Sequence, residues 1–461
     1  MKRCTGMERD MGIDAFRVLS PTAILGYGFP ESSFARGMEK KPDLIAVDAG
    51  STDPGPYYLG SGKSFTSRPA VMRDLRIMLK GALNAGVPLI VGSAGGAGAR
   101  VHVDWTTEII REIAAEEGLR FSMAVIYADI PKSSIRKAAF EGGIHSLDSG
   151  PEFRINSIDE AVRVVAQMGL EPVLKALKSG FQVIFCGRCY DPVPFAAPAI
   201  QKGYDPGLAL HMGKILECAA IAATPGSGRD CVMGTLCAES FELESLSDAR
   251  RFTRMSTAAH SLYEKSDPWM LPGPGGFLDL SNTVFEEIDD RRARVSGTRF
   301  VETRPYTLKL EGVRRVGFRS ISIAGIRDPI LISQIDATLD SVRQEAVAGK
   351  DGSFQVLFHL YGRNGVMGPW EPERKNPCHE LGVVIEAVGP DQQGADRLCA
   401  EVRSTLLHCG YSGRKSTAGN LALLYSPSDI ACGEVFSFNI YHLMNVEDPL
   451  AFFPIHAQEV S

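Results

Sequence analysis

Leu44-Ile-Ala-Val-Asp48 is a short apolar run that closes on an acid and opens into the loop Ala49-Gly-Ser-Thr-Asp-Pro-Gly55. A continuous apolar run cut off by glycine and proline is the pattern of a strand buried on both faces. A helical pattern follows over 69–85. Proline stands at its first position, apolar residues recur at Val71, Leu75, Met78, Leu79 and Leu83, and Gly86 ends it. Pro88-Leu-Ile-Val-Gly92 then repeats the strand pattern. Strand, helix and strand in that order predict a parallel sheet with right-handed crossovers.

The same alternation extends outward. Residues 23–26, 122–128 and 182–186 read as further strands, and 103–117, 158–167, 172–178 and 208–222 as helices. The segment 245–292 is mixed and rich in turns. Past residue 300 the pattern changes. Strands are expected at 306–310, 320–324, 355–361, 382–388 and 421–425, and helices at 329–347 and 395–408. The expected architecture is therefore α/β. An N-terminal mostly parallel sheet with helices on both faces covers 20–300, and a smaller α+β C-terminal domain covers 301–461.

The chain has 461 residues, 44% hydrophobic and 23% charged, which excludes a disordered chain, a coiled coil and a collagen-like repeat. A net charge of −6 argues against nucleic acid as a partner. No run of about 18 apolar residues occurs, so no membrane helix is expected. The first 20 residues carry charges throughout and do not read as a secretory signal. The 10 cysteines are scattered, and reduced thiols in a cytoplasmic protein are expected.

In a parallel sheet, ligands bind at the carboxyl ends of the strands. Three strand-end loops carry reactive groups. The first offers Asp48, Ser51, Thr52, Asp53, Tyr57 and Lys63. Either it builds a site, or its acids cap nearby amides in a turn. Gly62-Lys63-Ser64 does not complete a phosphate loop, because the glycine that motif needs falls on Tyr57. The second loop, Gly92-Ser-Ala-Gly-Gly-Ala-Gly98, lacks the dinucleotide spacing. Gly92, Ser93, Gly95 and Gly96 either let a carboxylate or phosphate ester approach a helix N-terminus, or let helix and strand pack closely. The third, Cys186-Gly-Arg-Cys-Tyr-Asp191, holds a single CxxC, weak evidence for zinc or redox chemistry. Arg188 and Asp191 form either a carboxylate grip or a structural pair.

His211 and Glu217 stand six positions apart, about 120° from sharing one helix face. They meet one ligand only if the helix starts near Gly213; otherwise a capping histidine and an exposed glutamate are expected. Leu271-Pro-Gly-Pro-Gly-Gly276 suits a lid, a dimer contact or a substrate contact, and Gly413-Arg-Lys-Ser-Thr-Ala-Gly-Asn420 suits an anion or a solvated turn.

Several of these stretches together resemble one family. They are Asp48-Ala-Gly-Ser-Thr-Asp-Pro-Gly55, Gly92-Ser-Ala-Gly-Gly96, Gly187-Arg188 with Asp191, and Ala259-His-Ser-Leu-Tyr-Glu-Lys265 with Leu271–Gly276. Lys309-Leu-Glu-Gly312, Gly325-Ile-Arg-Asp-Pro329, and Gly419-Asn420 with Ser426-Pro-Ser-Asp429 complete the set. The chain is similar over nearly its whole length to the acyclic terpene utilisation protein A family. The resemblance implies a part in growth on citronellol- and geraniol-type terpenes, alongside enzymes of branched acyl-CoA thioesters, with a hydratase or lyase step. It supplies no agreed catalytic residues, so the site rests on the residues themselves.

The expected function is a catabolic enzyme that adds or removes water, or cleaves, beside a carbonyl of a small carboxylate or acyl-CoA. Asp48 or Asp53 with His211 would form the acid–base set, with Glu217 beside them. Arg188, Lys63 and the amides of 92–98 would hold the anion. Two alternatives stand. In one, Asp48, Asp53, His211 and Glu217 hold a divalent metal. In the other, the chain is a non-catalytic partner subunit. Further copies of the chain are the expected macromolecular partner; a membrane is not.

Overall fold

The computed structural model describes residues 15–147, 150–263 and 267–461. The expectations placed on Cys4, Glu264, Lys265 and the first 14 residues lie outside that range. The chain divides into two units, one running up to Arg314 and including Phe438–Ser461, the other Arg315–Ser437.

The first unit is built on a ten-stranded sheet. Its centre is parallel, in the order Phe16–Ser20, Leu44–Asp48, Leu89–Gly92, Val183–Cys186, Phe121–Ile126. Antiparallel strands complete it on both sides, Val232–Leu236 against Phe16–Ser20 and Ile455–Val460 against Phe121–Ile126. The apolar runs are explained by two separate cores. Ile45, Val47, Leu89, Val91, Val183 and Phe185 face helices Arg68–Ala85 and Arg100–Glu117, meeting Leu75, Leu79, Ile110 and Ile113. Leu44, Ala46, Ile90, Ile184 and Cys186 face the opposite side, with Val173, Phe195, Met212 and Ile215 from three later helices. Alternate residues of one strand therefore enter different cores, and neither face tolerates a polar side chain.

The second unit packs helices Ile335–Val347 and Gln392–His408 on an antiparallel sheet. Leu381–Gly389 pairs with Gln355–Tyr361 on one side and with Phe318–Ile326 on the other. The α/β architecture and the α+β character of the later region are as expected.

Local differences have local causes. Residues 23–26 are a turn, with Gly26 at φ +100, and the strand is the preceding Phe16–Ser20. Residues 158–167 are not one helix. Helix Ile155–Glu160 ends, and Arg163–Ala166 becomes a strand paired with Leu310–Val313. The strands expected at 306–310 and 320–324 are one strand, Tyr306–Ile326. Eight described cysteines are free, whereas Cys237 is disulfide-bonded, unlike the thiols expected throughout.

Candidate active site

Three neighbouring parallel strands deliver Asp48, Ser93 and Arg188 to their shared carboxyl ends. Asp48 is the last residue of its strand and pairs in register with Gly92. A side chain at 92 is excluded, because its Cβ would lie 2.7 Å from Pro194 Cγ, 3.1 Å from Cys189 Sγ and 3.2 Å from Asp48 Oδ1. Ser93 follows with φ +44, a conformation that costs a non-glycine residue energy and is characteristic of functional sites.

Arg188 is buried and fully engaged. Its Nε donates to Glu311 Oε2 at 2.8 Å, and its Nη1 to Asp191 Oδ1 at 3.0 Å, Ser93 Oγ at 3.2 Å and the Cys189 carbonyl at 2.8 Å. Glu311 also accepts from Gln167 Nε2 at 3.2 Å and pairs with Lys309 Nζ at 3.2 Å. Lys214 Nζ reaches Glu217 Oε1 at 2.7 Å and Asp191 Oδ2 at 3.7 Å. The cluster thus holds Arg188, Lys214 and Lys309 against Asp191, Glu217 and Glu311, an even balance that leaves Asp48 without a cation of its own.

The environments drive these carboxyls apart. Burial, then the charges of Asp191, Cys189 and Glu217, push Asp48 well above the usual carboxylate range. Burial also raises Glu217, against the pull of Lys214. Burial would raise Asp191 too, but Arg188 and Lys214 outweigh it and hold Asp191 low. Arg188 and Lys309 do the same for Glu311. Asp48 is 4% exposed. Its Oδ2 accepts from Gly50 N at 3.1 Å, and its Oδ1 has no partner among the described residues. Tyr190 OH and His260 Nε2 are likewise buried without a partner. Tyr190 lies in the field of Lys214, Asp191 and Glu217, and His260 in that of Lys214. Unpaired buried polar atoms are rare, so three of them around one charged cluster make it the candidate site.

Of the residues singled out from sequence, Asp48, Gly92, Ser93, Arg188, Asp191 and Glu217 come together here. Asp53 is exposed and accepts from Ser51 Oγ at 2.6 Å, closing its own turn. Thr52 is buried in that turn. Lys63 is exposed 5.8 Å over the Tyr57 ring, which itself lies edge-on to Tyr58. Gly95 and Gly96 serve close packing, since a Cβ would meet His102 at 2.7 Å and Phe65 at 2.9 Å. The following helix N-terminus already receives an anion from the chain, Asp129 Oδ2 accepting from Arg100 N at 2.7 Å.

His211 lies within helix Pro206–Leu216, so it and Glu217 diverge. Its Nδ1 meets Thr298 Oγ1 at 2.7 Å and its Nε2 meets Ser261 Oγ at 2.9 Å, among phenylalanine rings. The four residues considered as metal ligands are therefore not gathered. Among the described residues no group of three His, Cys, Asp or Glu side chains could hold a metal ion. Cys186 and Cys189 are free, buried thiols. In the second unit, Arg414 and Asn420 are spent on carbonyls at the end of helix Gln392–His408.

Lys214, Glu311, Lys309 and Tyr190 were missed, although signals existed. Lys214 is three residues before Glu217, the spacing of a helical ion pair. Lys309 and Glu311, two apart on a strand, share one face. Tyr190 lies between Arg188 and Asp191 in a loop already marked.

Fold and cluster together define an α/β protein with a buried cluster of charged side chains at the carboxyl ends of its parallel strands. The chain belongs to the family described as acyclic terpene utilisation family protein AtuA, whose model matches residues 62–227 and 249–425. Membership ties it to the catabolic use of acyclic terpenes. No curated protein and no solved structure matches the chain. No helix among the described residues is long and apolar enough to cross a membrane.

Proposed function

We propose that the protein is a catabolic enzyme of hydratase or lyase type, working by proton transfer beside the carbonyl of a branched acyl-CoA or small carboxylate. The observation that carries this reading is Asp48, a buried carboxyl with an unpartnered oxygen, beside Asp191, which Arg188 and Lys214 hold low. Carboxyls in different environments, Asp48 without a cation of its own and Glu217 paired with Lys214, are how a site keeps an acid and a base at one pH. Asp48 supplies the proton donor. Glu217, raised yet next to Lys214, is the proton acceptor, and Lys214 bridges it to Asp191. Arg188 fixes the geometry from beneath.

The test is wash-in of solvent deuterium at the carbon next to the carbonyl, followed by NMR over branched enoyl- and hydroxyacyl-CoA thioesters and hydroxy-carboxylates. Wild type should exchange at least one class. Asp48→Asn and Glu217→Gln should each remove exchange while leaving the fold intact. Full exchange in both variants, or none in wild type with any compound, overturns the reading.

A further inference from the structure

We infer that the group received at Asp48 is an uncharged acceptor oxygen, the carbonyl of a ketone, ester or thioester, and that the Tyr190 hydroxyl is the second donor offered to it. The inference takes from the proposed function only the location of the site. It narrows the substrate to one that carries no free carboxylate at its reacting end.

Two observations converge on it. The first is the state of the cations. Arg188 is already bonded to Glu311 and Asp191, Lys214 to Glu217 and Asp191, and Lys309 to Glu311 and the Tyr441 hydroxyl. A carboxylate entering here would find each of these cations matched and Asp191 and Glu217 as neighbours, a like-charge contact in a poorly solvated place. The second is the unpartnered atoms. Asp48 Oδ1 and Tyr190 OH are both buried and without a hydrogen-bond partner among the described residues. As a carboxylic acid and a phenol, both are donors, and donors call for an acceptor. A phenol and a neutral carboxylic acid that both donate to one carbonyl oxygen would stabilise the enolate-like charge that develops there during proton removal.

Glycines let the backbone pack closely beside both donors. A Cβ at Gly92 would stand 3.2 Å from Asp48 Oδ1, and one at Gly273 would stand 2.6 Å from the Tyr190 ring. Gly273 ends the first strand of the hairpin formed by Met270–Gly273 and Gly276–Asp279, which gives the proline–glycine stretch a definite task. It lies against the Tyr190 ring, where a larger residue would displace the ring.

The test compares two probes with one carbon skeleton, S-ethyl 3-methylbut-2-enethioate and 3-methylbut-2-enoate, by calorimetric titration of the full chain at pH 7. The thioester should bind at least about tenfold more tightly than the carboxylate. Tyr190→Phe should weaken the thioester by about tenfold, the size of one hydrogen bond, and leave the carboxylate unchanged. In the infrared, the bound thioester carbonyl should stretch at a lower frequency than in water, with part of that shift lost in Tyr190→Phe. Equal or tighter binding of the carboxylate, binding of neither probe, or a carbonyl stretch indifferent to Tyr190→Phe overturns the inference. Thioester binding of this kind without deuterium exchange refutes the acid–base reading alone; exchange confined to free carboxylates refutes this inference alone.

Discussion

Replacing Glu311 by glutamine tests whether the charged cluster holds the first unit together. Glu311 is 0% exposed and accepts from Arg188 at 2.8 Å, with Lys309 and Gln167 each at 3.2 Å. Glutamine keeps the volume and one acceptor oxygen but turns an amide NH2 toward two cations. Breaking a buried ion pair by removing one partner costs about 3–5 kcal/mol, most of it the stranded charge. Arg188 keeps Asp191 and Lys309 keeps Tyr441, so the lower part of that range, about 3.5 kcal/mol, is expected. With an unfolding entropy of about 2.1 cal/mol/K per residue, a unit of this size should lose on the order of 5 °C in Tm. Urea unfolding by circular dichroism at pH 7 measures it. The pH dependence has a definite sign. Arg188 and Lys309 hold Glu311 below its ordinary value of 4.5, so its contribution is complete above that pH and fades as pH falls through the lowered value. The gap between wild type and Glu311→Gln should close in acid. A difference under about 0.5 kcal/mol at pH 7, the size of a neutral surface change, refutes the reasoning.

Two further outcomes follow from the same cluster. Asp48 is raised, so the folded state resists its ionisation and loses stability as pH climbs above 3.8. Asp48→Asn should therefore gain on wild type in urea midpoint between pH 4 and pH 8, and a constant gap would show an ordinary carboxyl. Ser93, at φ +44, reverses the usual order of alanine and glycine. Ser93→Gly should unfold about 1 kcal/mol later than Ser93→Ala, since both lose the hydroxyl and only glycine relieves the backbone; the opposite order would remove the strain argument.

Strands were legible where burial on both faces made them continuous. Residues 44–48 and 88–92 emerged nearly as read, because no helix of four or five residues would be so apolar and so sharply ended. Arg163–Ala166 was not legible, because four residues at the tail of a helical pattern carry too little periodicity to overrule it. What makes them a strand is the distant Leu310–Val313. The site divides along the same line. Asp48, Ser93 and Arg188 announce themselves at strand ends, where topology guarantees proximity. Glu311 lies 123 residues from its partner Arg188, and nothing local in a strand such as Lys309-Leu-Glu-Gly312 says which loop it will face. His211 misled because its helix begins at Pro206 rather than near Gly213, which turns the ring away from Glu217 and toward Thr298.

The alternation of the central strands between two cores has a consequence for how such a protein can change. Substitution at Ile45 or Ala46 alters one core and leaves the other in place. Deleting a single residue from Leu44–Asp48 would exchange every following side chain between the two faces. Asp48 would then be carried off the carboxyl ends where Gly92, Ser93 and Arg188 await it. Variation in length is thus barred from the strands and confined to the loops beyond them, so new substrates can be reached by lengthening a loop while the acid itself stays where the pleat has put it.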